Sequence, residues 1–256
     1  LTPAQAKVSV LHESGRTPIP PQSSSFTGKP ESVCWRPWPC EACRSGRTEL
    51  DFLVGRDSAS PEISAGSKNE LIDIISDREA EWLTEWAFDC NHTETVEENL
   101  PFLEEGSEHL VYLDSAHGDV LKITRVGIFG TFYELIDGRI HEFKSTPADY
   151  LIRLRLLQMQ FGFSQTPLGV TKESQVVSRQ KFITGDSPTQ EAVDSFLENA
   201  GFSAVKKNCW LWKGVKIDGI EPWVGDARAD NFVDTPEGII PIDLRMWQVI
   251  DPEYVK

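Results

Sequence analysis

Three oxygen-bearing side chains set the tightest constraint on this chain. Asp226 and Asn231 stand five apart in one loop, and after an eleven-residue gap Asp243 closes the apolar strand Ile239-Ile240-Pro241-Ile242. Phosphoryl transfer needs oxygen ligands that fix Mg²⁺ against phosphates, and a carboxylate that orients or accepts the proton of an attacking hydroxyl. Two carboxylates and an amide provide that set, and the amide suits Asn231 because it ligates a cation without adding charge. Asp226 is then the candidate catalytic base, and Asn231 and Asp243 are the candidate metal ligands. Asp and Asn are common turn formers, so the loop alone is weak evidence. Lys122 strengthens it: this residue lies in a strand between Leu121 and Ile123, projects to the face opposite theirs, and has the reach and charge to meet the non-transferred phosphates of a triphosphate. Taken alone, a lysine in a strand reads as an edge or solvent-facing residue.

Composition narrows the classes. The chain has 256 residues, 39% of them hydrophobic, enough for a core. Its formal charge is −15, and its densest basic features are the pairs Arg153/Arg155 and Lys206/Lys207, so nucleic acid is not an expected partner. No apolar run approaches the roughly 18 residues of a membrane span, and the first residues lack the apolar core of an export signal, which leads to the expectation of a cytoplasmic protein. Five cysteines at uneven spacing do not form a disulfide framework. Cys34, Cys40 and Cys43 carry part of a zinc pattern, with Cys90 or His92 as a fourth ligand, but reduced thiols in a loose arm are the simpler expectation.

Residues 1–66 are broken by Pro and Ser clusters and read as an extended or partly disordered arm with one short strand at 50–54. A helical segment follows over 67–103, with Leu71, Ile74, Ile75, Leu83 and Trp86 able to share a face and Trp82 and Trp86 on one side. Residues 109–113 and 120–123 read as a hairpin turning at Gly118. A helix over 147–160 is capped by Ser145 or Thr146, starts on Pro147, buries Leu151, Leu154, Leu157 and Phe161, and stops at Gly162. A second helix is expected to start with Ser187 as cap and Gln190 completing a capping box. Strands are expected at 170–171, 175–183, 209–212, 215–217 and 238–242. This order is α+β rather than alternating βα units.

Gly225-Asp226-Ala227-Arg228-Ala229-Asp230-Asn231-Phe232-Val233 and Gly238-Ile239-Ile240-Pro241-Ile242-Asp243-Leu244 resemble the signature of aminoglycoside and choline kinase relatives in the protein-kinase-like superfamily. The sequence is more similar still to a family of bacterial and prophage polyvalent-protein kinases, through Gly106-Ser107-Glu108-His109-Leu110-Val111-Tyr112-Leu113 ahead of Lys122, a helix near Tyr150, Phe161, and Gln180-Lys181-Phe182-Ile183 at a hinge. The resemblance covers about residues 104–250. It implies a reduced protein-kinase-like fold over 104–256, with an N-lobe antiparallel sheet at about 104–183 and a truncated C-lobe at about 184–256. It also implies ATP and Mg²⁺ as cofactors, with Lys122 on the phosphates, the backbone of Lys181, Phe182 and Ile183 meeting adenine, Leu110 and Val120 roofing it, and Ile242 under it.

Two departures accompany the resemblance. Only Gly106 stands where a glycine-rich loop would be, and helix 148–160 holds no Glu to pair with Lys122, leaving Glu134, Glu142 and Asp149 as substitutes. With 13 residues after Asp243, no peptide-binding activation segment is expected, which argues against a conventional protein kinase and leaves room for a homodimer. The expected function is phosphotransfer to a hydroxyl of a small molecule or partner protein, the alternative being an inactive kinase-like protein that binds nucleotide or a protein.

Overall fold

The computed structural model describes residues 65–89, 91–94, 100–136, 138–162, 165–206, 210–216 and 220–250. All but the last two positions of the expected arm lie outside these, as do its strand at 50–54 and all five cysteines. The described residues hold three α-helices and thirteen strands in four sheets, a mixed α/β arrangement consistent with a reduced kinase-like fold. None of the helices is long and apolar enough to cross a membrane.

The expected hairpin forms between β2 (His109–Asp114) and β3 (Asp119–Thr124), with Gly118 in the left-handed region at φ 65°. These strands sit in a five-stranded antiparallel sheet with β1 (Phe102–Glu105), β6 (Gln165–Val170) and β7 (Val176–Lys181), in the order β1-β2-β3-β7-β6. Strand β3 is central and buried along its whole length. Lys122 is thus neither an edge nor a solvent-facing residue, being 7% exposed. Between β3 and the next helix lies a hairpin that the sequence pattern did not reveal, β4 (Thr131–Ile136) with β5 (Arg139–Lys144).

Helix α1 (Ala65–Asp89) is one continuous helix. Its inward stripe is Ile72, Leu83 and Ala87, while Ile74, expected on that face, points to solvent at 57% exposure. Trp86 stacks on His92 with ring centroids 5.1 Å apart. Helix α2 (Pro147–Phe161) has a full capping box between Thr146 and Asp149 and ends at Gly162 in the left-handed region. The Glu79 carboxylate of α1 accepts from Ala148 N at 2.9 Å, which fills one of the open N–H groups of the first turn of α2. Leu83 and Ala87 then pack with Tyr150 and Leu154.

Helix α3 (Gln190–Asn199) is capped by Thr189, whose hydroxyl accepts from Ala192 N, and not by Ser187. Gln190 cannot close a box on Ser187 because its amide bridges Ala227 O and Ala229 N, at 2.9 and 3.1 Å. The second half of the chain forms a sheet in the order β13-β10-β9-β8, from β8 (Ser203–Ala204), β9 (Trp212–Lys213), β10 (Ile220–Gly225) and β13 (Arg245–Ile250). Strands β11 (Phe232–Thr235) and β12 (Gly238–Pro241) make a separate hairpin. The strand expected at 215–217 is absent from its described residues, where Gly214 N instead bonds Pro222 O. Leu157, Val193, Leu197, Phe202, Trp212, Val224, Phe232 and Met246 form a core with Ala227 and Leu244.

Buried polar groups fasten α2 to the sheet. Tyr150, Arg153, Leu154 and Leu157 share the inward stripe, so a guanidinium enters the core, where it ion-pairs with Glu108 through both terminal nitrogens. His109 Nε2 lies 3.0 Å from Tyr150 Oη and 3.3 Å from Glu108 Oε1, a placement that suits a neutral ring sharing one N–H between two oxygens. Gln165 Nε2 donates to Tyr150 Oη and Ser178 Oγ, and Ser178 donates to the carbonyl of Lys122. Gly130, at φ 92°, leaves the room: a Cβ there would stand 2.7 Å from both Arg153 Nη1 and Glu108 Oε2.

Arg153→Met strands a buried carboxylate and should cost roughly 3–5 kcal/mol in urea unfolding, while Glu108→Gln with Arg153→Met should recover most of that loss. Burial, working against the Glu108 charge, lowers the His109 pKa to about 4. Its folded value lies below its unfolded value near 6.5, so the contribution is complete above pH 6.5 and disappears as pH falls through 4. Wild type should therefore lose about 3 kcal/mol more than His109→Gln between pH 7 and 4, read from urea midpoints at both pH values.

Candidate active site

Strand β10 delivers Asp226. The preceding Gly225 is crowded, since a Cβ there would meet Trp247 and Tyr133 rings at 3.0 Å. Asp226 itself turns the chain in the left-handed region at φ 57°, which Asp tolerates better than most residues. That turn is held by its neighbours: Arg228 N and Asn231 Nδ2 both donate to the carbonyl of Asp226, at 2.8 and 2.7 Å. The Asp226 carboxylate is ion-paired with Arg228, Nε to Oδ1 2.8 Å.

Asn231 lies at the end of a short 3₁₀ turn, Ala229–Asn231, and is buried. Its side-chain N–H is committed to Asp226, which leaves the amide oxygen as the atom able to face a cation. Its backbone carbonyl accepts from Ile242 N at 2.8 Å and from Asp243 N at 3.3 Å. The two candidate metal ligands are thereby joined through one carbonyl. Lys122 Nζ completes the connection, donating to Ile242 O at 2.7 Å and standing 3.8 Å from Asp243 Oδ1. Lys122, 120 positions from Ile242, is thus joined to the segment that holds residues 226, 231 and 243.

The side chain of Asp243 is 55% exposed: its outer side meets solvent and its inner side rests on the buried network. Partial burial pushes its carboxyl up, but Lys122 foremost, with Arg153 and Arg245, outweighs that and brings it to about 2. The exposed face screens this effect in water. Asp243 is therefore an anion throughout the neutral range. Among the described residues no group of three or more His, Cys, Asp or Glu side chains is placed to hold a metal. A divalent cation here would draw on Asp243, on the neutral amide of Asn231 and on oxygens of its own ligand, a donor set that fits Mg²⁺.

Other expected residues divide. Val120 lies two residues from Lys122 on the same strand face, while Leu110 pairs with Ile123 and so lies on the opposite face. Val111, directly opposite Lys122, and Leu113, opposite Val120, hold the positions expected for Leu110. Ile242 is half-buried and contributes its carbonyl. At the hinge, Lys181 Nζ pairs with Asp119 at 2.6 Å, Phe182 N donates to Gly118 O at 3.1 Å, and Ile183 packs on the core. The Phe182 N–H is thus taken by the fold, and a base would have to read other backbone groups of this segment.

None of the three substitutes considered for the missing helix glutamate performs that task in the structure. Glu134 pairs with Lys68 at 2.5 Å, Glu142 lies 3.4 Å from Arg245, and Asp149 caps α2. Among the described residues, the Asp243 carboxylate stands 3.8 Å from Lys122 Nζ. Three contributors escaped the sequence reading: Arg153 with Glu108 behind the site, Gln190 under the Asp226 loop, and Arg245, which donates to Thr131 and Tyr133 of the β4–β5 hairpin at 2.5 and 3.2 Å. Only Arg153 had a signal, since its spacing from Leu154 and Leu157 places it on an apolar stripe.

No curated protein and no solved structure matches this chain. The family model described as Serine/Threonine/Tyrosine Kinase found in polyvalent proteins matches residues 76–246, a span holding Lys122, Asp226, Asn231 and Asp243, and the chain belongs to that kinase family.

Proposed function

We propose that this chain is an ATP- and Mg²⁺-dependent phosphotransferase acting on a hydroxyl acceptor, with residues 104–183 and 184–256 as the two lobes of a reduced kinase-like domain. Family membership supports phosphotransfer in general. The observation that carries the finer reading is the continuous link from Lys122 Nζ through Ile242 O and the Asn231 carbonyl to Asp243 and Asp226. A Mg²⁺-bound polyphosphate gives a reason for a buried ammonium to stand beside a carboxylate whose outer side meets solvent.

The residues divide the work. Lys122 supplies positive charge for the non-transferred phosphates, and its bond to Ile242 fixes its position. Asn231 and Asp243 offer the oxygens for Mg²⁺, which when bound neutralises charge on the phosphates. Asp226 orients the acceptor hydroxyl. As the acceptor oxygen bonds to the γ-phosphorus, the bond from that phosphorus to the bridging oxygen breaks, ADP leaves, and the hydroxyl proton passes to Asp226 or through it to solvent. Arg228, paired with Asp226, keeps the carboxylate in one orientation between turnovers.

One observation favours the silent alternative: helix α2 presents Arg153, not a carboxylate, toward the site. Calorimetric titration with a non-hydrolysable ATP analogue, with and without Mg²⁺, separates the readings. Wild type should bind in a Mg²⁺-dependent manner, Asp243→Ala should lose that dependence, and Asp226→Asn should bind within about threefold of wild type while losing roughly a hundredfold or more in transfer. A folded wild-type chain that binds no nucleotide sinks the proposal; Mg²⁺-dependent binding with no transfer to any acceptor leaves the silent alternative.

A further inference from the structure

The sheet face that carries Lys122 also carries a buried polar atom that the fold leaves unpaired. Residues directly opposite on neighbouring strands share a face, as do residues two apart on one strand. Lys122 lies opposite Ser178 and Val120 opposite Gln180, so Gln180 stands on the face of Lys122, one diagonal step away. Gln180 is 4% exposed, and its side-chain oxygen is buried with no hydrogen-bond partner among the described residues. Gln165, opposite Gln180 on β6, makes the contrast: its amide is spent on Tyr150 and Ser178. A buried acceptor without a donor lowers stability, so its presence calls for a specific cause.

The two ends of this face differ. Towards Thr124 it is covered by helix α2: His109, opposite Thr124, meets Tyr150 at 3.0 Å, and the buried Glu108–Arg153 pair lies beside it. Towards Gln180 the cover stops. Strand β7 ends at Lys181, which is exposed, as are Phe182 and residues 184–187. Leu113, opposite Val120 and on the same face, is only half-buried. A nucleotide whose phosphates meet Lys122 therefore has one direction in which sugar and base can run, along Val120 and Leu113 to Gln180.

We infer that Gln180 is the base-selecting residue of this site, its side-chain oxygen accepting a hydrogen bond from the 6-amino group of adenine. This rests on the phosphotransferase reading for the place of the phosphates, and deepens it by naming the atom that selects the base. Backbone recognition at 181–183 lacks one of its donors, because Phe182 N–H is bonded to Gly118 O at 3.1 Å. The carboxamide supplies what is missing. Val120 and Leu113 offer a purine ring apolar contact, and the amide oxygen offers an acceptor to an exocyclic N–H. Three rotatable bonds before the amide let it turn toward the base. Because the oxygen is out of water, its bond to the amino group is not offset by a lost bond to solvent on the protein side, which makes it more selective than an exposed acceptor.

The test uses the full chain, Mg²⁺ and calorimetric titration with two non-hydrolysable triphosphates, that of adenosine and that of purine riboside, which lacks only the 6-amino group. Wild type should bind the adenosine analogue about tenfold more tightly or better. Gln180→Met keeps the length of the side chain and removes the oxygen; it should bind the two analogues within about twofold of each other, with the loss falling on the adenosine analogue. Urea unfolding without nucleotide gives a second readout: the midpoint of Gln180→Met should equal or exceed that of wild type, because an unpaired buried acceptor has been removed. Selectivity that survives Gln180→Met, or a lower urea midpoint for that variant, overturns the inference. Equal binding of both analogues by wild type overturns it while the phosphotransferase reading stands. A folded wild-type chain that binds neither removes both.

Discussion

A buried ammonium on a central strand is the demand around which the described fold is organised. Lys122 is 7% exposed, and an unpaired charge at such a place would cost several kcal/mol. It is met by a backbone carbonyl, Ile242 O at 2.7 Å, with the Asp243 carboxylate standing 3.8 Å away. Because that carbonyl belongs to the residue before Asp243, satisfying the lysine also positions the candidate metal ligand. The carbonyl of Asn231 repeats the device by accepting from Ile242 and Asp243. Backbone groups, which do not vary with sequence, do much of the alignment here.

Charge on helix α2 is reversed relative to the expectation that the family resemblance raised. A guanidinium enters the core and pairs with Glu108 just ahead of β2, so that helix and sheet are joined by one buried ion pair and a line of hydrogen bonds through His109, Tyr150, Gln165 and Ser178. The Ser178 hydroxyl ends that line on the carbonyl of Lys122. Helix α1 holds the first turn of α2 through Glu79. The β4–β5 hairpin reaches across to Arg245, two residues past Asp243. Each flank of the site is thus held by a segment from elsewhere in the chain, which is a preorganised arrangement.

Local signals were legible where physics acts over a few residues. Thr146, one of two candidate caps, and Pro147 announced the start of α2 and Gly162 its end, because capping and left-handed termination involve neighbours only. The β2–β3 hairpin was legible for the same reason. The start of α3 was misread because Gln190 is taken by Ala227 and Ala229, a partnership that sequence spacing does not encode. Leu110 was assigned to the wrong face because a one-residue difference of register reverses a strand's side chains, and register is decided by pairing with β3.

By itself the sequence determined the chemistry available: an amide and two carboxylates at strand and loop ends, a lysine between apolar residues, and a strong negative charge. Only the tertiary structure decided which of these meet. Asp226, Asn231 and Asp243 come together because Ala227 and Leu244, their immediate neighbours, pack in one core. Arg153 is an interior charge only because Gly130 leaves it space beside Glu108. Side-chain chemistry is a property of single residues, whereas proximity depends on long-range pairing and burial, which no short window of sequence contains.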